Sequence, residues 1–175
     1  MSTRGVVAPG VQVCSLKVDT PQSIPSSASY TIVRFPYGAA EPTDRFEMHQ
    51  ALQPDGSTVT NYATDDRSGL IRPSRAGWGS LYALIQWEAP TATSGTVTEY
   101  RDQFVRDPLG ETATPNDTTA TDHRAATPGG QFWTKSWGIF VTPDVPLALR
   151  VTHNGTVGPL LMTLAEFKLV IHPAA

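Results

Sequence analysis

Histidines are the side chains of this sequence best suited to catalysis or metal binding, and their spacing argues against a metal-binding pair. None lies within three or four residues of another, so no helix can present two of them together, and no H-E-x-x-H pattern occurs. The residues of a Ser-His-Asp triad can be distant in sequence, so their spacing does not exclude a triad. The G-x-S-x-G turn of many serine hydrolases is missing, however. The histidines are His49, His123, His153 and His172.

Acidic residues are the second group with possible chemistry. Asp65 and Asp66, together with Asp44 and Asp55, could supply oxygen ligands to calcium, although neighbouring loop carboxylates are more often simply hydrated. No pair stands out as the acid and base of a glycosidase. Cys14 is the single cysteine, which excludes an intrachain disulfide and a structural zinc site built from cysteines. The sequence therefore predicts no catalytic residue, no cofactor and no metal site.

The composition of the chain argues against two classes of binding partner. The net charge is −3 and no basic patch is visible, which argues against nucleic acid. No apolar run approaches the roughly 18 residues of a membrane span, and the first residues lack the apolar core of a signal peptide. We therefore expect a protein made in the cytoplasm, without a membrane partner. Charged residues are only 17% of the chain, below the roughly 25% typical of soluble domains, which predicts an unusually uncharged surface.

A proline-free run from Trp78 to Glu88 predicts the central strand of the fold. Side chains alternate between the two faces of a strand. One face is wholly apolar, with Leu81, Ala83, Ile85 and Trp87. The other is partly apolar, with Tyr82, Leu84, Gln86 and Glu88. This pattern predicts a strand that faces the core on one side and is partly covered on the other, in mid-sheet or at a subunit contact.

Shorter strands and long loops account for the rest of the chain. Frequent Pro (15) and Gly (14) disfavour long helices, and we find about eight to ten strand patterns, no amphipathic helix and no repeat. An antiparallel β-sandwich of the jelly-roll type accommodates such a pattern. We expect one jelly-roll domain over residues 16–175. Within it, residues 107–130 lack apolar periodicity and are rich in Thr, which predicts a long loop.

The first 15 residues are interpreted as an extended N-terminal arm. Gly5, Pro9 and Gly10 separate small apolar residues, a composition that suits an arm or a loosely ordered tail better than a core element. If the arm anchors the protein to a larger assembly, its valines are the expected contacts. They are Val6, Val7, Val11 and Val13.

Aromatic residues are concentrated between Gln131 and Val141. Trp133 and Trp137 lie four apart and would share one face of a strand, where they would pack in the core or against a subunit, or contact a sugar. With the second face of the central strand, they give a predicted oligomer interface. Its residues are Tyr82, Leu84, Trp133 and Trp137.

Four blocks of the sequence resemble the C1q/TNF-like jelly roll, in the form common among bacteriophage structural proteins. The blocks are Gln22-Ser-Ile-Pro-Ser-Ser with Tyr30-Thr-Ile-Val-Arg-Phe, Gly69-Leu-Ile-Arg-Pro-Ser-Arg-Ala-Gly-Trp, Thr142-Pro-Asp-Val-Pro-Leu-Ala-Leu-Arg-Val-Thr-His-Asn-Gly, and Ala165-Glu-Phe-Lys-Leu-Val-Ile. The resemblance spans residues 16–172. It departs at Trp78, where a tyrosine is usual, and at residues 107–130.

The resemblance implies a tight homotrimer, packed around apolar strand faces, and a buried phenylalanine in the last strand. It also implies a non-enzymatic virion structural protein of a tailed phage. Within that class we expect a capsid decoration protein bound to the major capsid protein, since a tail fibre usually needs a long shaft. The alternative is a minor tail or receptor-binding module that contacts cell-surface glycans through Trp133, Trp137 and the Thr-rich loop. A carbohydrate-active enzyme is the third possibility, and the absence of a recognisable acid and base pair argues against it.

Overall fold

Strands form nearly all of the regular structure. The computed structural model describes residues 10–27, 29–113 and 117–173. In these ranges it has two short 3₁₀ helices, Gly38–Ala40 and Asp66–Gly69, and no helix of the length and apolarity that a membrane crossing requires. The ten strands are β1 (Gln12–Val18), β2 (Gln22–Ile24), β3 (Thr31–Ile32), β4 (Leu70–Ile71), β5 (Gly77–Trp87), β6 (Glu99–Arg106), β7 (Asp117–Ala125), β8 (Gln131–Val141), β9 (Leu147–His153) and β10 (Leu160–Ile171).

The strands form two antiparallel sheets that pack face to face. The first sheet has the order β1-β10-β5-β8, with β2 also paired to β10. The second has the order β3-β9-β6-β7, with β4 also paired to β9. Both sheets join strands that are distant in sequence, as a jelly roll requires. The predicted all-β antiparallel sandwich is confirmed.

The central strand lies where the sequence predicts it. β5 pairs with β10 on one side and with β8 along its whole length on the other, so it is interior to the first sheet. Leu81, Ala83, Ile85 and Trp87 are buried in the core, whereas Tyr82 and Gln86 are exposed and Leu84 is half-buried. The alternation of apolar residues therefore gave both the strand and the orientation of its two faces.

A group of phenylalanines joins the two sheets in the core. Phe167 on β10 stacks on Phe104 of β6, with ring centroids 5.8 Å apart, and on Phe35, with centroids 6.4 Å apart. All three side chains are fully buried. The predicted burial of a phenylalanine in the last strand is thereby confirmed, and this residue connects three separate segments of the chain.

The prediction of an extended arm over residues 1–15 is wrong at the C-terminal end of this range. Residues 12–15 belong to β1, which pairs with β10 from Gln12 opposite Ile171 to Val18 opposite Ala165. Cys14 and Leu16 alternate into the core, and this short alternation outweighs the small, Gly- and Pro-rich residues before it. Val13 is thus a strand residue, and Val11 is exposed just before the strand. Val6 and Val7 lie outside the described residues.

The expected loop over residues 107–130 is also wrong in part, because it contains β7. This strand runs antiparallel to β6 at the edge of the second sheet. Its sequence, DTTATDHRA, has no apolar alternation, but Thr is a good strand former where a face meets water. Before it, the Asp107 carboxylate accepts hydrogen bonds from the backbone N–H groups of Glu111 and Thr112. An ordered turn therefore begins the segment that the sequence suggested was a loop.

Replacing Phe167 tests the core. We expect Phe167→Ala to lower the free energy of unfolding by about 3–5 kcal/mol, because it removes a buried ring and leaves a cavity between the sheets. Urea unfolding followed by tryptophan fluorescence measures this change. The control is Val157→Ala, at a side chain that is 71% exposed, where we expect a change within about 0.5 kcal/mol. Similar values for both variants would contradict the proposed packing.

Candidate assembly face

The outer face of the first sheet carries exposed aromatic side chains on two neighbouring strands. Trp78 is 55% exposed, Phe140 58% and Phe132 76%. We define the assembly face by five residues of β5 and β8. They are Trp78, Tyr82, Leu84, Phe132 and Phe140.

Strand register explains why these side chains lie together. Trp78 is directly opposite Phe140, and Gln86 is directly opposite Phe132, and paired residues project from the same face of a sheet. A methyl group added at Gly138 would lie 2.6 Å from Cζ2 of Trp78, so the indole ring covers this glycine. Trp78 and Phe140 therefore form one aromatic patch across β5 and β8, and Phe132 lies farther along the same face.

Polar side chains border the assembly face on β10. Lys168 is opposite Tyr82 and Glu166 is opposite Leu84. The Lys168 ammonium group is 2.5 Å from the Glu166 carboxylate, so the two charges neutralise each other. Together with Thr134 and Ser136 of β8, these residues line a shallow hollow around Tyr82 and Leu84. The apolar surface thus meets a rim without excess charge.

The four residues predicted for the interface lie on two different faces. Tyr82 and Leu84 point outward, as expected. Trp133 is opposite Ile85 and Trp137 is opposite Leu81, and both of these β5 partners are buried in the core. The two tryptophans do share one face, but it is the inner one. Trp133 is half-buried and packs against the core, whereas Trp137 is 49% exposed at the sheet edge.

Trp133 belongs to a buried polar cluster between the two sheets, which the sequence analysis missed. Its indole N–H donates a hydrogen bond of 2.9 Å to Oδ2 of Asp102 on β6. The ammonium group of Lys135, from β8, contacts Oδ1 of the same carboxylate and lies 3.0 Å from Oδ2 of Asp122. Arg124 adds a second cation, its Nε 3.8 Å from Oδ2 of Asp102. A lysine at an inward-facing strand position was the available sequence signal.

Aromatic rings surround this cluster. The Lys135 ammonium lies 4.9 Å from the centroid of the Phe104 ring, and the Arg124 guanidinium lies 5.0 Å from the Trp133 ring. Tyr100 packs against Trp133 from the other side, with centroids 5.7 Å apart. Burial raises the pKa of the Tyr100 hydroxyl, with a smaller contribution from the charge of Glu88. Asp102 and Lys135 therefore lie away from solvent, whereas the Asp122 and Arg124 side chains are partly exposed.

The histidines have separate partners in separate parts of the fold. His49 is buried between the Glu41 carboxylate and the Ser68 carbonyl, 2.8 Å from each. His153 is the last residue of β9 and accepts a hydrogen bond from the N–H of Gly155. The Ile24 carbonyl also contacts His153, the Glu99 carboxylate contacts His123, and the Ser80 hydroxyl contacts His172.

The acidic residues considered for calcium are held by arginines or by backbone groups. Asp65 accepts hydrogen bonds from Arg67, and Asp66 pairs with Arg34 at 2.7 Å. Asp44 accepts from the N–H groups of residues 48 and 49. No group of three or more His, Cys, Asp or Glu suited to a metal ion occurs in the described ranges. Burial raises the pKa of the Cys14 thiol, which disfavours its reactive thiolate form.

Comparison with solved structures identifies the fold. Eiger TNF from S. frugiperda superposes with a TM-score of 0.52 at 11% identity, covering 95% of this chain and 96% of that one. Murine APRIL superposes with a TM-score of 0.52 at 12% identity, covering 90% and 98%. No family model matches the sequence, and no curated protein matches it. The chain has a C1q/TNF-like jelly-roll fold, as the sequence resemblance implied.

The Trp133 hydrogen bond can be tested by removing its donor. We expect Trp133→Phe to lower the free energy of unfolding by about 1–3 kcal/mol, because Oδ2 of the buried Asp102 loses its short hydrogen bond. Denaturant unfolding measures this difference. Trp137→Phe is the matched control, since it makes the same change at a half-exposed position of the same strand face. Equal losses in both variants would contradict the role of the Trp133 indole.

Proposed function

We propose that this protein is a non-enzymatic structural protein that assembles into a homotrimer through the assembly face. The observation that supports this proposal is the exposure of Trp78, Phe132 and Phe140 on the same outer face of the first sheet. Large aromatic side chains that cluster in this way are typical of protein contacts, where they provide much of the binding energy. Isolated exposed apolar residues would need no such explanation.

A second copy of the chain suits this surface better than a highly charged partner. Its rim carries the neutralised Glu166–Lys168 pair and the uncharged Thr134 and Ser136. An apolar centre within a polar rim is the usual composition of a subunit contact. A cyclic trimer satisfies this face on every copy and closes, which prevents growth into filaments. The trimer also follows from the family resemblance of the sequence.

We further propose that the trimer is a component of a bacteriophage virion, bound on the outside of the capsid to the major capsid protein. The support is the resemblance of the four sequence blocks to phage structural proteins, together with the low fraction of charged residues. The residues before β1 would provide the shell contacts. In this proposal Val6, Val7 and Val11 anchor the trimer, while the half-buried Val13 fixes the start of the sandwich through its pairing with Val170.

A minor tail or receptor-binding module is the second candidate. The observation in its favour is Trp137, whose ring is half-exposed on β8 at the edge of the sandwich. An exposed aromatic face can stack on a sugar ring. In this alternative the same trimer would contact cell-surface glycans rather than the shell.

Introducing charge tests the trimer. We expect Tyr82→Asp and Leu84→Asp each to convert the trimer to monomers with an unchanged circular dichroism spectrum, because the contact would bury an unpaired carboxylate. Sedimentation velocity gives the mass. Val157→Asp places the same charge at an exposed site outside the face and should leave the trimer intact. Trimers in all three variants would show that the contact lies elsewhere.

Binding assays separate the two candidate functions. We expect the purified protein to bind saturably to capsids that lack it, at a fixed ratio per capsomer, and not to host cells. A variant that lacks residues 1–10 keeps β1 complete and should bind capsids more weakly while remaining trimeric. Binding to cells alone, lost in Trp137→Ala, would contradict the decoration function and support the receptor-binding module. Unchanged capsid affinity of the truncated variant would contradict the anchoring role of the N-terminal residues.

A further inference from the structure

The buried polar cluster brings an amine and a carboxyl group together from opposite sheets. Lys135 projects inward from β8 of the first sheet, and Asp102 projects inward from β6 of the second. The Lys135 side chain is 3% exposed and the Asp102 side chain is fully buried. The ammonium nitrogen contacts Oδ1 of the carboxylate directly. The two reactive groups are therefore held in contact without competing water.

A buried ion pair is an expensive way to join two sheets. The free energy of removing both charges from water often exceeds the free energy gained from their mutual attraction. Apolar residues would fill the same space without this desolvation penalty. Condensation of the same two groups to an amide removes both charges. We propose that Lys135 Nζ and Asp102 Cγ form an intramolecular isopeptide bond.

The neighbouring side chains supply what this reaction needs. Asp122 Oδ2 lies 3.0 Å from Nζ and can accept a proton from it. The Trp133 N–H, 2.9 Å from Oδ2 of Asp102, stabilises negative charge that develops on that oxygen. Arg124 Nε makes no hydrogen bond with any described residue and lies 3.8 Å from the same oxygen. A proton acceptor, one hydrogen-bond donor and one nearby cation thus surround the carboxyl group.

The reaction is a balanced dehydration. One proton first moves from the Lys135 ammonium to Oδ1 of Asp102, which leaves a neutral amine and a neutral acid. The nitrogen lone pair then attacks Cγ, forming the C–N bond as an electron pair moves to Oδ2. Asp122 takes a second proton from the nitrogen and delivers it to Oδ1. The Cγ–Oδ1 bond breaks, water leaves and the carbonyl to Oδ2 reforms. No oxidant, metal or cofactor takes part.

The surroundings favour the amide over its hydrolysis. Phe104, Trp133 and Tyr100 pack around Lys135 and Asp102, whose side chains are 3% and 0% exposed, and reversal would require a water molecule to reach this buried pair. Holding amine and carboxyl group in contact also removes the entropic cost of bringing them together. After the reaction, Oδ2 is an amide oxygen that still accepts the hydrogen bond from Trp133.

The bond would close one open edge of the sandwich. β7 and β8 are the edge strands of different sheets and share no ladder of backbone hydrogen bonds. A covalent link between β6 and β8 restricts the unfolded chain as a disulfide does. It needs no second cysteine and is independent of oxidising conditions. The link does not depend on the proposed trimer or on a virion location.

The intact mass of the purified full-length protein tests the proposal directly. We expect the mass to be lower than that of the sequence by one water molecule. Trypsin should not cut after an acylated Lys135, so the digest should contain the peptide Asp102–Arg106 joined to residues 125–150. A full sequence mass, together with normal cleavage after Lys135, would overturn the proposal without any need for a variant.

Three variants locate the bond and its chemistry. Lys135→Met should restore the full mass for its sequence. Lys168→Ala removes the amine of the half-buried Glu166–Lys168 pair and should still lose one water, which controls for dehydration elsewhere. Asp122→Asn keeps the amine and carboxyl group but removes the proton acceptor, so we expect the linked fraction to fall at least tenfold after a fixed time. Complete linkage in Asp122→Asn would overturn the role assigned to Asp122, and loss of water from Lys135→Met would overturn the bond itself.

Discussion

The structure depends on β5 having apolar side chains on both of its faces. One face, with Leu81, Ile85 and Trp87, closes the core against the second sheet. The other, with Trp78, Tyr82 and Leu84, continues onto β8 and faces outward. A strand with a single apolar face would be satisfied by one sandwich. Because β5 has two, the fold of one chain leaves a surface whose burial requires another molecule, and this links the fold to the proposed assembly.

β8 likewise contributes side chains to both faces of the first sheet. Its outward residues Phe132 and Phe140 extend the assembly face, while its inward residues Trp133 and Lys135 join the polar cluster with Asp102. An edge strand is normally the weak border of a sheet, open to unwanted pairing. Contacts to the second sheet hold this strand in place, and a rigid β8 would in turn present its outer aromatic residues in a fixed arrangement for association.

The local alternation of apolar and polar residues along the strands predicts much of this fold from the sequence. The two faces of β5, the strand β8 and the buried Phe167 all follow from apolar periodicity or from the family resemblance. The polar edge strand β7 was not predicted, because its residues form a strand through pairing with β6 rather than through an apolar face. The outward-facing residues of β8 were not predicted for another reason. Which of its faces is inner depends on the register with β5, which connects residues about fifty positions apart.

The central claim is that the outer face of the first sheet is buried by other copies of this chain. Hydroxyl-radical footprinting of the wild-type protein, at concentrations above and below the assembly threshold, tests it without any substitution. We predict that labelling of Trp78, Phe132 and Phe140 falls as the protein assembles, while labelling of the exposed Val157 stays constant. Unchanged labelling of these aromatic residues in a confirmed oligomer would contradict the claim, because another surface would then form the contact.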